Sequence, residues 1–542
     1  MKNFKFKRSL TLIAVSSLLS ITVVSIPTAA RAADPACTTA NFVTTCLGAT
    51  TDTAPYMLMT PANFNGTVYL YSHGYRPNVP VIPGIPGYGG YTVTNTPEPA
   101  PGGNPQIIGA LLAKGFAVMG SGFARQGWNA DSAIKTNVEL IDVFKKQYPK
   151  TTKVVAWGSS LGGFITQALA EKYPNLISAA APLCMASDVT PLMTMAGDAL
   201  WGIKTFFDPT IKGGNYSAGP AGYAESMGDL VKVFTVIGAM QAAIGANPTA
   251  PAWPATSTVP AALKAVPSRS ALVLIALMSG VPMQSAHFDS TSAPAGIPAA
   301  NALSFQLAIN PALAALENLA NAAALAVLAT HDLELQAGGA VFDNTATNYA
   351  ARVADEQFIW SSALSGNAGI GALLGYLAAV PRAKGDPAAM AKIAALTSHT
   401  GKVEIPTILF TATADPLTVA GNQQSVIDKY AAYYAEKWEA VKKAKGYKRP
   451  ANNQLALWGF PPSKYTKFTA TGSPDTSVAA APGTNHCNFT VAQHLAIADL
   501  LAYASANGKN LSGGPMLTKV RKAGNMTYDR DYSAPKMKYY GG

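Results

Sequence analysis

Histidine is scarce in this chain, with six among 542 residues, and cysteine scarcer still, with four. No metal-ligand cluster can be drawn from them and no glycine-rich nucleotide loop is present, so no metal and no cofactor are expected. Long blocks of one charge are missing as well. The densest basic group, K-K-A-K-G-Y-K-R at 442–449, reads as a solvated helix end rather than a nucleic-acid patch, and no nucleic-acid partner is expected. Internal repeats are absent. Beyond the first thirty residues no segment looks transmembrane, and the apolar run within them falls short of the roughly 20 residues a spanning helix needs. The run 271–278 is too short, and 311–330 is broken by Glu317, Asn318 and Asn321 in a helical pattern.

The exception lies at the start. M-K-N-F-K-F-K-R precedes the uncharged run Leu10 to Ile26 and then Ala30-Arg31-Ala32. A basic n-region, an apolar h-region and an A-x-A site describe an export signal over 1–32, with an uncleaved anchor as the rival reading. The signal holds Lys2, Lys5, Lys7, Arg8 and Arg31 and no acid. After its removal 35 cations face 29 acids, and the net charge falls from +11 to +6. The mature protein is therefore expected to be secreted and soluble, with no membrane partner. Exported cysteines tend to pair, and the closeness of Cys37 and Cys46 points to a small N-terminal staple.

From Thr67 to Cys184 apolar strand candidates (68–72, 115–122, 154–158, 177–183) alternate with helix candidates (131–147, 161–172). That rhythm predicts a mostly parallel sheet covered on both faces. It stops for about 215 residues, Met185 to Thr400, which are rich in Ala, Pro and Gly with helical stretches. It resumes at 405–416, followed by helix candidates at 419–445 and 490–506. The expected organisation is a core over 33–184 and 401–507, a helical insertion over 185–400, and a tail over 508–542. The tail, polar and with little periodicity, is expected to wrap the surface or be partly disordered.

Gly158-Ser159-Ser160-Leu161-Gly162 matches G-x-S-x-G between a strand and a helix, with Gly163 beyond it. A sharp strand-to-helix turn exposes such a serine and needs small neighbours, so Ser160 is the candidate nucleophile and Ser159 sits at the wrong position. The N–H of Leu161 is one oxyanion donor. A serine hydroxyl needs a base. Among the histidines, His486 lies in a loop directly before the last helix, while His494 should face solvent from inside that helix. The third member must be a carboxylate. Asp415, at the end of the strand I-L-F-T-A-T, is the first choice and Asp188 the second, although an Asp before Pro is also common as an Asx-turn. The loop Ser72-His73-Gly74-Tyr75 offers the second oxyanion donor, the Tyr75 N–H, with His73 as a structural hydrogen-bonder.

With N-G-T-V-Y-L-Y-S-H-G-Y at 65–75, G-S-S-L-G-G at 158–163, A-P-L-C at 181–184 and N-H-C-N-F-T at 485–490, the chain resembles secreted serine hydrolases of the α/β-hydrolase superfamily. These include esterases, lipases and prolyl-oligopeptidase-like enzymes. The resemblance covers 55–185 and 400–505 and implies an ester or amide hydrolase with a Ser–Asp–His triad. The His-Cys pair is also similar to tannases and feruloyl esterases, but their elbow carries a cysteine where this chain has Ser159. Cys184 and Cys487 read together as a crosslink anchoring the histidine loop, with two buried thiols as the other reading. The insertion leaves the sheet beside the elbow and is expected to form a lid or cap. Met193, Met195, Trp201, Phe206 and Phe207 near its start either line an acyl pocket or pack a core. The expected function is hydrolysis of small or polymeric carboxylic esters. A serine peptidase and a non-catalytic binding module are the alternatives; the intact triad weighs against the second, and the lack of a propeller-like repeat against the first.

Overall fold

The computed structural model describes residues 35–85, 88–396, 398–443 and 446–537. The expected export signal, 1–32, lies outside them. The first strands, β1 (Ala36–Ala40) and β2 (Val43–Ala49), form a hairpin. Its turn residues Asn41 and Phe42 both have positive φ, as two-residue hairpin turns require. Cys37 faces Cys46 across this ladder, and a disulfide joins them.

Seven more strands complete one sheet: β3 (Pro55–Pro61), β4 (Thr67–Ser72), β5 (Ala117–Ser121), β6 (Lys153–Ser159), β7 (Ala179–Leu183), β8 (Thr407–Ala412) and β9 (Gln454–Gly459). Their order is β1-β2-β3-β5-β4-β6-β7-β8-β9. Pairing is antiparallel as far as the β3–β5 ladder and parallel from β5 to β9. β5, β7 and β8 are buried at every residue, as strands covered on both faces must be.

Side chains alternate between two cores, as the period of two demands. Val68, Leu70, Val154 and Ala156 face α2 (Ala130–Gln147) and α3 (Leu161–Lys172). Tyr69, Tyr71, Val155 and Trp157 face the opposite layer, which contains α1 (Pro105–Ala113).

Between β7 and β8 the described residues hold helices and no strand. These helices are α4 (Val189–Phe206), α5 (Gly219–Ala246), α6 (Ser268–Ser279) and α7 (Ala299–Ser304). They continue as α8 (Asn310–Ala337), α9 (Tyr349–Arg352), α10 (Gly366–Ala379) and α11 (Pro387–Ala394). The insertion has its own hydrophobic core, to which Trp201, Phe206 and Phe207 belong. α6, buried along its whole length, runs through it. Gly219–Ala246 and Ala299–Ala337 are long and apolar enough to cross a bilayer by length and composition, with 50% and 61% of their most apolar windows buried inside the protein. The polar residues that interrupt the second make internal hydrogen bonds. Asn318 donates to the Pro282 and Gln284 carbonyls, and Glu317 accepts from Ser285 and His287.

After β8 come α12 (Ala420–Val441), α13 (Val491–Asn507) and α14 (Gly513–Ala523). α13 opens with a capping box between Thr490 and Gln493. His494 does not face solvent, contrary to the sequence expectation. It is buried against Trp157 and Phe489, because the helix turns that face toward the sheet. Burial pushes its pKa down to about 4. The described part of the tail, through residue 537, packs against the sheet domain. Met516 and Val520 of α14 bury against the sheet layer, Thr527 bridges to Trp458, and Ala534 packs on Trp458.

Candidate active site

β6 carries the chain to the sheet edge, and the turn to α3 is made by one residue. Ser160 has φ 61° and ψ −123°, a strained conformation for a residue with a Cβ. The turn closes because its neighbours have no side chains. A Cβ on Gly158 would run into the Gly162 carbonyl, and one on Gly162 into the Ser72 carbonyl. Ser160 is thereby held at the tip, its N–H bonded to the Leu183 carbonyl at 3.0 Å.

Ser160 Oγ lies 2.8 Å from His486 Nε2. On the other side of the ring, Nδ1 lies 2.9 and 3.0 Å from the two carboxylate oxygens of Asp415. A carboxylate only accepts, so the ring proton sits on Nδ1 and Nε2 is free to accept from the serine hydroxyl. Asp415 is fully buried and also accepts from the N–H groups of Leu417 (2.9 Å) and Thr418 (3.0 Å). The Asx-turn and the histidine contact, alternatives on sequence grounds, are thus made by the same carboxylate. Asp188 caps α4 through the Thr190 N–H and makes no hydrogen bond to His486.

His486 stands between Asn485 (φ 60°) and Cys487 (φ 51°), both in the left-handed region. A disulfide ties Cys487 to Cys184 at the end of β7. Asp415, His486 and Cys487 approach one another as metal ligands would, but a disulfide sulfur is no thiolate ligand and the set does not fit a metal.

The His73-Gly74-Tyr75 loop lies over the elbow: a Cβ on Gly74 would come within 3.2 Å of Ser160 Cβ. Among the described residues, the N–H groups of Tyr75 and Leu161 donate to no protein acceptor. His73 is buried, and its Nδ1–H donates to the Gly74 carbonyl at 2.7 Å. Burial first, then the charge of Arg76, push its pKa down to about 3 and keep the ring neutral.

The fold is that of the α/β-hydrolases. Its serine sits on the strand-to-helix elbow, and acid and histidine follow it in chain order on loops at the same sheet edge. No protein-family model and no curated protein matches the chain. Among solved structures, an esterase and feruloyl esterase B, both from Aspergillus oryzae, share 11% identity with it. They cover 80% and 77% of this chain and 73% and 72% of their own, with TM-scores of 0.29 and 0.30. An esterase from Pyrococcus furiosus shares 14% identity over 29% of this chain, which spans 55% of that protein, with a TM-score of 0.21. Likenesses this weak carry no argument about chemistry.

Three polar groups that the α/β-hydrolase motifs do not announce complete the site. Thr418 Oγ1 donates to the Cys184 carbonyl at 2.8 Å and lies 3.2 Å from Asp415 and 3.3 Å from His486 Nδ1. Asn321 of α8 donates to the side chain of Asn485 at 3.2 Å. Asp332, buried on α8, accepts from the Trp128 N–H (2.6 Å), Asn78 (2.7 Å) and the Tyr75 hydroxyl (3.3 Å), tying the insertion to the His73-Gly74-Tyr75 loop. Burial holds its carboxyl above the usual range despite these donors. No local sequence pattern marks Asp332, one of three acids on α8.

The insertion also grips the loop leading to His486. His287 Nδ1 lies 2.5 Å from Glu317, and Nε2 lies 3.0 Å from the Val478 carbonyl. Both ring nitrogens face acceptors, which suits the doubly protonated ring. Partial burial lowers its pKa, but Glu317, the Val478 carbonyl and Asp475 together outweigh burial and hold it above the ordinary value. A raised folded pKa contributes stability that is complete below the unfolded value, about 6.5. That stability is lost as pH rises through the folded value. The stability difference between wild type and His287→Ala should be on the order of 1 kcal/mol at pH 5.5–6 and shrink by pH 9. Urea melts at both pH values measure it, and a difference that grows with pH would contradict the charged pairing.

Proposed function

We propose that this protein is an exported serine hydrolase that cleaves carboxylic esters through an acyl-serine intermediate. The observation that carries the reading is the continuous hydrogen-bonded line from Ser160 Oγ through His486 to the buried Asp415. In the first step Ser160 Oγ bonds to the ester carbonyl carbon while its proton passes to His486 Nε2. The N–H groups of Tyr75 and Leu161 receive the oxyanion, and the α3 N-terminus adds favourable dipole charge. The intermediate collapses by breaking the bond to the alcohol oxygen, which leaves with the proton from Nε2. Water then repeats the sequence on the acyl-serine and releases the carboxylic acid. Asp415 holds the tautomer and stabilises the imidazolium without taking the proton.

An ester is favoured over a peptide with a free amino terminus because, among the described residues, the cleft beside Ser160 is lined by no Asp or Glu that would take that amine. Two disulfides suit an oxidising compartment. The test is a fluorophosphonate probe together with p-nitrophenyl esters and peptide p-nitroanilides, on protein collected after export and expected to begin near Ala33. Labelling at Ser160 with turnover of the esters is expected. No labelling of folded protein, or turnover confined to the anilides, would reject the reading.

A further inference from the structure

The cleft that opens at Ser160 is narrow, with a cavity volume of about 100 Å³. One wall belongs to the core, with Tyr75, Leu161 and Trp128. The other comes from the insertion, with α4 supplying Met193 and α8 supplying Ala322 and Ala329 among others. Two features of this lining decide what it can hold.

The first is direction. Both candidate oxyanion donors, Tyr75 and Leu161, border the cleft, whereas His486 does not. The leaving alcohol must face His486 Nε2, because it departs with that proton. The group entering the cleft is therefore the other substituent of the carbonyl carbon, the acyl chain.

The second is chemistry. Among the described residues no charged side chain lines the cleft. Its two hydroxyls besides that of Ser160 are already engaged, Tyr75 with Asp332 and Thr418 with the Cys184 carbonyl. A polar or ionised group at the far end of an acyl chain would lose its water and find no partner, a cost that hydrogen-bonding sites avoid. The α8 wall repeats alanine at 322, 326 and 329, on one helix face. These short side chains leave the space that a chain would fill.

Resting on the serine-esterase reading, we infer that the substrate class is esters of unsubstituted aliphatic acids longer than acetic acid. The α8 alanines then set how long a chain is accepted.

The experiment uses the mature protein and p-nitrophenyl esters of acetic, butyric, hexanoic and octanoic acids. A further substrate is the p-nitrophenyl half-ester of adipic acid, which matches hexanoate in length but ends in a carboxylate. From acetate upward, kcat/KM should rise about fourfold per methylene, the equivalent of about 0.8 kcal/mol per buried CH₂, until the chain meets the closed end. The adipate half-ester should fall at least about a hundredfold below hexanoate. Ala322→Phe and Ala329→Phe, both at partly exposed positions, should each lower the octanoate-to-acetate ratio of kcat/KM by about tenfold or more.

Acetate as the best substrate, adipate half-ester turnover equal to hexanoate, or an unchanged ratio in both folded variants would each overturn the inference. The wild-type series decides it even where a variant fails to fold. Hydrolysis of every ester without length preference would reject this inference alone. Hydrolysis of none would reject the esterase reading itself.

Discussion

Replacing Ser160 or His486 by alanine is expected to lower kcat for ester hydrolysis by about five to six orders of magnitude each, with the double variant hardly worse than either single one. In the proposed mechanism the two act in one proton transfer, so removing either removes the step, and what survives is the contribution of oxyanion donors and binding. Asp415→Asn should cost about 10⁴-fold. Its amide can donate to Nδ1, which would favour the tautomer with the proton on Nε2, where Ser160 needs an acceptor. Folding should be retained, because an Asn oxygen can still accept from Leu417 and Thr418. Asp188→Asn should stay near wild type, since Asp188 only caps a helix. Steady-state kinetics with fluorophosphonate labelling of Ser160 provide the check. An Asp415→Asn enzyme near wild type beside an inactive Asp188→Asn enzyme would move the acid to the other strand end.

The parts of this site legible in the sequence are those where local backbone demands and chemistry coincide. The glycines at 158 and 162 mark the elbow because nothing larger fits beneath the carbonyls they meet. The helix after the elbow, expected over 161–172, spans those residues, and the one expected over 131–147 starts a single residue earlier. Strands β4 to β8 were readable from apolar runs because they are covered on both faces. The N-terminal hairpin and β9 were not. β1 is exposed along its length, and β9 is a short run whose burial depends on α12 and the tail. α14 escaped notice because only Met516 and Val520 of its eleven residues are buried. Tertiary ties such as Asn321 to Asn485 join residues far apart in the chain, and no local pattern encodes them. The aromatic start of the insertion was ambiguous for the same reason. Met193 and Met195 line the cleft, while Trp201, Phe206 and Phe207 pack the insertion's own core.

Loss of the Cys184–Cys487 crosslink should disable the site before it unfolds the protein. His486 sits between two residues held at positive φ, each of which costs of order 1–3 kcal/mol and persists only while the surroundings impose it. The loop before it, A-A-A-P-G-T-N at 479–485, is built from small residues that impose little. Asp415, Thr418 and Asn321 hold this segment by side-chain hydrogen bonds, Gly483 and Ala481 bond through the backbone to Ala414 and Ala286, and the tie to the end of β7 is the covalent constraint. Reduction should therefore let the ring drift from Ser160 while the sheet stays intact. The crosslink closes 303 residues, for which the chain-entropy model gives about 6 kcal/mol, with measured values commonly nearer 2–4. Cys184→Ser/Cys487→Ser should thus lose most activity and a few kcal/mol of stability. Cys37→Ser/Cys46→Ser opens a span of only nine residues at the sheet margin, where β1 is exposed though Cys46 is buried, so it should keep its activity and lose less stability. Titrating the native enzyme with a reductant, while following ester hydrolysis and far-ultraviolet circular dichroism together, separates the two effects. Activity should fall at reductant concentrations where the dichroism is unchanged. Coincident loss of both signals would mean that the bond holds the fold as a whole rather than the histidine.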